Sequence, residues 1–119
     1  MLFRSERDAQ AFAERARIEV AELVELTYSD ASASLLEMSA AGVSKGTGLA
    51  ALCAARGIAA SETIAFGDMP NDLPMLEWAG RSYAMANGHP DVTAAADETA
   101  PANEQDGVAT VIERLLADA

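Results

Sequence analysis

Between Ser5 and Ile18 the apolar residues Ala9, Phe12, Ala13 and Ala16, continued by Val20, share one face of a 3.6-residue period. Glu14, Arg15 and Arg17 fall elsewhere, and the pattern predicts an amphipathic helix. The period then shortens. Val24, Leu26 and Tyr28 stand two apart within Val20 to Tyr28 and predict a strand; Ser29-Asp30-Ala31-Ser32 is a turn sequence, and Ser34 to Met38 resumes as a second short strand. This part of the chain therefore reads as a helix followed by a hairpin. Gly42 and Gly46 bracket a loop, after which Thr47 to Arg56 has helical spacing and ends at Gly57, the residue type favoured just past a helix.

Downstream of Gly57, strand, loop and helix alternate. Thr63 to Phe66 is a short apolar run of the kind that forms a strand buried on both faces. Asp72 to Ala79 is predicted helical and closed by Gly80; Ser82 to Met85 is another short strand, and Pro90 to Ala96 a helix of two turns. In Asp106 to Ala117, Val108, Val111, Ile112, Leu115 and Leu116 recur at helical spacing, with Asp106 placed to cap the helix. Repeated units of this kind predict an α/β fold with a parallel sheet. The break between the two patterns lies near Met38 to Ser44, dividing the chain into residues 1–37 and residues 38–119. The first part is too small to bury a core of its own and must pack on something else.

Composition narrows the function classes. With 119 residues the chain is one domain at most, and although half the residues are apolar only 5% are aromatic, so its core is built from small side chains. The net charge is −11, with −4 over residues 1–41 and −7 over 42–119, and no basic cluster interrupts it. That argues against a nucleic-acid backbone or an anionic membrane surface as partner, since both require grouped Lys and Arg. Cys53 stands alone, which excludes an intrachain disulfide and a cysteine-based zinc site and makes a small buried helix residue its expected role. Met1 to Asp8 is charged and no apolar region follows it, and no apolar run approaches the roughly 20 residues of a membrane span. A cytoplasmic protein is the default expectation.

Candidate chemistry gathers where a strand should end. Ligands of open α/β sheets bind at the carboxyl ends of the strands, and there Gly67-Asp68-Met69-Pro70-Asn71-Asp72 places two carboxylates and an amide. Gly67 lets the chain turn sharply and Pro70 stiffens the loop. Asp68 and Asp72 converge if the residues between them curl into a helical turn, and paired oxygens of this kind suit Mg²⁺. On spacing alone a second account is equally open: Asp68 begins a turn and Asp72 caps the next helix. Seven of the eight cations are arginine; the only lysine, Lys45, lies between Gly42 and Gly46, where a compact charge could reach a phosphate oxygen. His89, between Gly88 and Pro90, reads as a loop or helix-entry residue, and Trp78 with Met75 and Leu76 as a packing face.

Taken in order from about Leu36 to Leu116, these pieces resemble a known family. Ser44-Lys45-Gly46 before a helix, Gly67-Asp68-Met69-Pro70-Asn71-Asp72, Ala84-Met85-Ala86-Asn87 and Asn103-Glu104-Gln105-Asp106-Gly107-Val108-Ala109 resemble the C-terminal part of a haloacid dehalogenase (HAD) superfamily phosphatase of the Cof type. The resemblance implies that residues 38–119 are the C-terminal half of a Rossmann-like core and residues 1–37 the remnant of an α+β cap. It further implies Mg²⁺ as cofactor, a small phosphorylated metabolite as substrate, and hydrolysis through an aspartyl-phosphate. Lys45 then contacts the phosphoryl group and the nucleophile, and Asp68 is a direct Mg²⁺ ligand. Asp72 supports the metal from outside or through water, Asn71 positions phosphate or substrate, and Asn87 has a supporting role. Ala86 and Gly88 depart from the family's usual Gly and Ala on either side of that Asn.

The family's nucleophile belongs to an Asp-x-Asp-Gly-Thr motif at the end of an apolar strand, and this sequence contains none. Its nearest imitation, Thr27 to Ser32 around Asp30, reads as a hairpin turn. The expectation is a C-terminal fragment of a phosphatase, inactive by itself. The alternative is a non-catalytic α/β module that self-associates through its exposed half-core or complements a partner chain. A receiver domain of the response-regulator kind shares the paired acids but places its Asp and Lys in a different chain order.

Overall fold

The computed structural model of the chain describes residues 2–4, 9–20, 22–27 and 35–118. Strand β1 (Leu2–Arg4) and helix α1 (Ala9–Val20) precede β2 (Val24–Thr27) and β3 (Leu35–Ala40). The expected turn at Ser29–Ser32, with Asp30, lies outside the described residues. β2 and β3 pair antiparallel, Glu25 opposite Ser39 and Thr27 opposite Glu37, and β1 pairs with the other edge of β3 to give the order β1-β3-β2. β1 was not expected; three residues are too few to show a period. The pleat puts Glu25, Thr27, Glu37 and Ser39 on one face and Val24, Leu26, Leu36 and Met38 on the other. This sheet runs to Ala40, across the 37/38 line drawn from the sequence.

A turn follows, with Gly42 at φ +76° and the Val43 amide donating to the Ala40 carbonyl. Helix α2 (Lys45–Arg56) then leads to β4 (Ile64–Gly67), α3 (Leu73–Trp78), β5 (Arg81–Met85), α4 (Pro90–Ala95), β6 (Glu98–Ala100) and α5 (Gly107–Ala117). The strands pair in parallel in the order β4-β5-β6, as the alternation of strand and helix predicts. α3 and α4 cover one face, where Ala65, Leu76, Ala84 and Val92 are buried together. On the other face Tyr83, Met85, Ala100 and Val111 pack with α5, and Phe66 stacks on Tyr83 at 5.2 Å between ring centroids.

Three expectations need correction. The strand buried on both faces is β5, whose residues 82–85 are all buried, and not the segment around Thr63–Phe66. β4 is the sheet edge: Ala65 is covered, while Ile64 is 46% exposed and Phe66 half-buried. Strand β6 was missed because it spans three residues in a polar stretch. Asp106 does not cap α5 with its side chain; it takes a left-handed conformation (φ 53°), tolerated by Asp, to swing the chain from a short 3-10 turn (Asn103–Gln105) into the helix. Among the described residues no helix is long and apolar enough to cross a membrane.

Candidate functional site

The carboxyl ends of β4 and β5 open onto the loop that holds Asp68, Asn71 and Asp72. After Gly67 the chain leaves the sheet, passes Asp68 and Met69, and closes a 3-10 turn (Pro70–Asp72) through the Asp72 amide, which donates to the Met69 carbonyl at 2.8 Å. Asp72 is buried. Its Oδ2 accepts from the amides of Asp68 (3.0 Å) and Met69 (3.1 Å), and its Oδ1 accepts from the ammonium of Lys45. A Cβ on residue 67 would stand 2.6 Å from the Asp72 Cβ, so glycine is what lets this carboxylate fold back under the loop.

Asp72 therefore neither caps α3 with its side chain nor converges freely with Asp68. Burial works to raise its pKa, but the Lys45 hydrogen bond and the two backbone amides outweigh that and hold the carboxyl below its ordinary value. It is an ionised anchor, with Oδ2 filled by two amide hydrogens and Oδ1 turned to the lysine.

Lys45 reaches that anchor from another element. The sequence placed it in a loop before a helix starting at Thr47; the helix starts at Lys45, because Ser44 and Thr47 form a reciprocal cap. The Thr47 amide donates to Ser44 Oγ at 3.1 Å, and the Ser44 amide donates to Thr47 Oγ1 at 2.9 Å. α2 packs on α3, which sets the lysine over Asp72. The Lys45 side chain remains 48% exposed, so its ammonium also faces open space.

Two cavities meet at Lys45. One, about 410 Å³, is lined by Lys45, Asp68, Asp72, Met85 and Asn103 among others. No hydrogen bond among the described residues engages the Asp68 carboxylate, which leaves its oxygens available to a ligand. The other cavity, about 460 Å³, lies between the β2–β3 hairpin and the start of α2, and Asn71 lines it together with Lys45. The Asn71 Oδ1 atom is buried without a hydrogen-bond partner.

The structure thus brings together Lys45, Asp68, Asn71 and Asp72. Asn87 lines neither cavity: its Oδ1 accepts from the Asn103 amide at 3.1 Å and ties two loops together. His89 begins α4, its Nδ1 accepting from the Asp91 amide, while its own amide donates to the Asp68 carbonyl at 2.7 Å and steadies the site loop. Sequence reasoning assigned no role to Asn103, although it belongs to a quoted motif. Its Oδ1 is held by the Glu104 amide at 2.9 Å, leaving the side-chain NH₂ as a donor at the rim.

Three or more His, Cys, Asp or Glu side chains converge nowhere among the described residues in a way that could hold a metal ion. One open carboxylate beside a lysine nevertheless fits Mg²⁺, which takes one or two carboxylates and completes its shell with water and phosphate oxygens.

Comparison with known proteins gives this site a context. Residues 1–112 match the family described as haloacid dehalogenase-like hydrolases. A 5-amino-6-(5-phospho-D-ribitylamino)uracil phosphatase of Bacillus subtilis is 39% identical over 83 residues, covering 70% of this chain and 31% of its own length. A phosphatase of the same name from Escherichia coli is 45% identical over 75 residues, 63% of this chain and 28% of that protein. In structure, a haloacid dehalogenase-like hydrolase from B. subtilis superposes with a TM-score of 0.84 at 36% identity, over 96% of this chain and 39% of that one. The chain thus spans about a third of the length of these curated relatives.

Proposed function

The chain belongs to the haloacid dehalogenase-like hydrolases, a family in which its relatives are phosphatases, and we propose that it carries the lysine- and metal-facing half of a Mg²⁺-dependent phosphomonoesterase site. The observation that carries this reading is the Lys45–Asp72 pair set beside the uncommitted carboxylate of Asp68 at the end of β4. Asp72 fixes Lys45, and the exposed side of the ammonium holds a phosphoryl oxygen. Asp68 is the carboxylate that would hold the cation, with Asn71 directed toward substrate. When bound, Mg²⁺ would supply charge neutralisation to the phosphoryl oxygens. Asp72 acts through Lys45 and the loop amides, as a positioning residue.

The substrates proposed are small phosphate monoesters, of which the phosphoribitylaminouracil named for two relatives is one candidate. Hydrolysis through an aspartyl-phosphate needs a nucleophilic aspartate, and this sequence has no Asp-x-Asp-Gly-Thr motif to provide it. The 119-residue chain by itself is accordingly inactive. A p-nitrophenyl phosphate assay with Mg²⁺ tests this: no turnover above buffer is expected, and robust turnover abolished by Asp68→Ala would overturn it. Phosphate binding tests the site separately. Inorganic phosphate should shift the backbone amide resonances of residues 45–48 and 68–72 in wild type and not in Lys45→Ala.

One observation favours a second reading, in which the module associates with further chain. Ile64 on edge strand β4, and Val108 and Ile112 on α5, are each more than a third exposed. Light scattering separates the readings, a defined dimer supporting assembly and a monomer a plain half-core.

A further inference from the structure

β4, β5 and β6 run parallel, so the loops that follow them leave the sheet at one edge. Each loop carries a polar side chain: Asp68 after β4, Asn87 after β5 and Asn103 after β6. The middle loop is bonded to both of its neighbours. The His89 amide donates to the Asp68 carbonyl at 2.7 Å, and Asn87 Oδ1 accepts from the Asn103 amide at 3.1 Å. Asp68 and Asn103 are thereby tied to one scaffold across the sheet edge, and both line the cavity of about 410 Å³ that Lys45 faces.

Donors are few in that cavity. Of the side chains lining it, only those of Lys45 and Asn103 carry N–H groups. The amides of Asp68 and Met69, which the turn would otherwise offer to an anion, are taken by Asp72 Oδ2. The charged side chains are two carboxylates and one ammonium, and the ammonium already bonds Asp72. A phosphoryl group presents three oxygens, more than this lysine can serve. A neutral N–H donor meets a second oxygen of the phosphate.

Asn103 is held in the posture such a donor needs. Its Oδ1 accepts from the Glu104 amide at 2.9 Å, so the oxygen faces the turn and the NH₂ the opposite side, where no hydrogen bond among the described residues engages it. The turn itself is closely fixed. The Gln105 and Gly107 amides both donate to the Ala102 carbonyl, at 2.9 and 3.3 Å. Asp106 holds φ 53°, the one positive value outside glycine among the described residues, and a Cβ on Gly107 would stand 1.9 Å from the Pro101 carbonyl oxygen. Backbone in such a conformation persists where its surroundings fix it, and positions of this kind gather at ligand sites.

From this arrangement we propose that Asn103 is a further phosphate-binding residue of the proposed phosphatase site, its side-chain NH₂ donating to a phosphoryl oxygen next to the one held by Lys45. Asn87, which lines neither cavity, is the positioning residue that sets Asn103 there. The inference rests on the phosphatase reading and adds two residues to that same site.

The test is a titration of the intact chain with inorganic phosphate, followed by NMR of backbone and side-chain amides. In wild type the Asn103 side-chain NH₂ pair should shift together with the backbone amides of residues 45–48 and 68–72. Asn103→Ala should weaken binding about tenfold, the equivalent of one hydrogen bond to a charged group. Asn87→Ala should weaken it about threefold, and Asn87→Asp, which keeps an oxygen for the Asn103 amide, should recover most of that loss.

An Asn103 NH₂ signal unmoved at saturating phosphate, or an Asn103→Ala chain that binds phosphate as wild type does, would overturn the role of Asn103 and leave the phosphatase reading standing. Asn87→Ala binding phosphate as tightly as wild type, or Asn87→Asp binding as weakly as Asn87→Ala, would overturn the positioning role of Asn87. If phosphate shifts neither residues 45–48 nor 68–72, the phosphatase reading falls and this inference with it.

Discussion

Asp72 and Lys45 lie 27 positions apart and form an ion pair across the junction of α2 and the site loop, with the carboxylate buried and the ammonium half in the open. One oxygen of the acid orders the loop and the other aims the base. Replacing Asp72 with Ala leaves the amides of Asp68 and Met69 without an acceptor, and the loss of stability should be about 2 kcal/mol. Asp72→Asn keeps one carbonyl oxygen and should cost less. Urea unfolding of the two variants against wild type measures both differences.

The same pair predicts a pH dependence. The Asp72 carboxyl titrates below its ordinary value of 3.8 in the folded chain, so the folded state binds its proton more weakly than the unfolded state does. Its contribution is present in full above the unfolded value and is lost as pH falls through the depressed folded one. The stability gap between wild type and Asp72→Asn should be fully open at neutral pH and narrow below about pH 4. Acid unfolding curves followed by near-ultraviolet circular dichroism check this, and a gap independent of pH would contradict the assignment.

Ser44 offers a way to disturb Lys45 without touching it. Its hydroxyl accepts from the Thr47 amide at the first turn of α2, and Ser44→Ala should lower stability by about 1 kcal/mol. Because Lys45 is the next residue, fraying of this turn should also weaken the phosphate response of residues 68–72. Ser44→Asp, which restores a capping acceptor, should recover the stability. It should not recover the phosphate response, since it sets a negative charge beside the anion.

Much of this arrangement was legible in the sequence because ligand chemistry restricts residue types at short spacing. Gly67 to Asp72 could be placed at the end of a strand, and Lys45 singled out, from the sequence alone. The commitment of Asp72 to Lys45 could not, since it depends on α2 packing against α3, a contact between segments that no local pattern encodes. The burial of β5 rather than β4 was hidden for a similar reason. Both runs are short and apolar, and only the sheet order β4-β5-β6 decides which is flanked on both sides. Asn87 and Asn103 look alike as loop amides. What separates them is that the Asn87 oxygen is taken by the Asn103 backbone amide and Asn87 lines neither cavity, whereas Asn103 stands at the rim of one.

A second carboxylate, Asp97, does structural work at the other end of the sheet. Its Oδ2 accepts from both the Ser82 hydroxyl and the Ser82 amide at 2.8 Å, and the Asp97 amide donates back to Ser82 Oγ at 3.1 Å. The Ser82 hydroxyl and amide hold the Asp97 carboxyl below its ordinary value, so this clasp too weakens as pH falls through that depressed range. Ser82→Ala should loosen β6 from β5 and leave the site loop intact. Hydrogen exchange should report faster exchange at residues 97–100, with residues 45–48 and 68–72 unchanged.

Gly88 joins two loops that the chemistry needs held together. A Cβ there would stand 2.9 Å from the Met85 carbonyl oxygen and 3.0 Å from both the Cα and the carbonyl oxygen of Asp68. All three atoms are backbone, so no rotamer change can relieve the contact, and the Asp68 loop itself would have to move. Its neighbour His89 donates its amide to that same Asp68 carbonyl at 2.7 Å, so displacing the loop also breaks a hydrogen bond. Overpacking of this kind costs about 1–3 kcal/mol, and Gly88→Ala should fall in that range by urea unfolding. Its second consequence is local: the amide resonances of residues 67–72 should shift, while those of β6 and α5 stay in place. A Gly88→Ala protein with wild-type stability and an unmoved Asp68 amide would show that the close approach of these loops does not hold Asp68 in position.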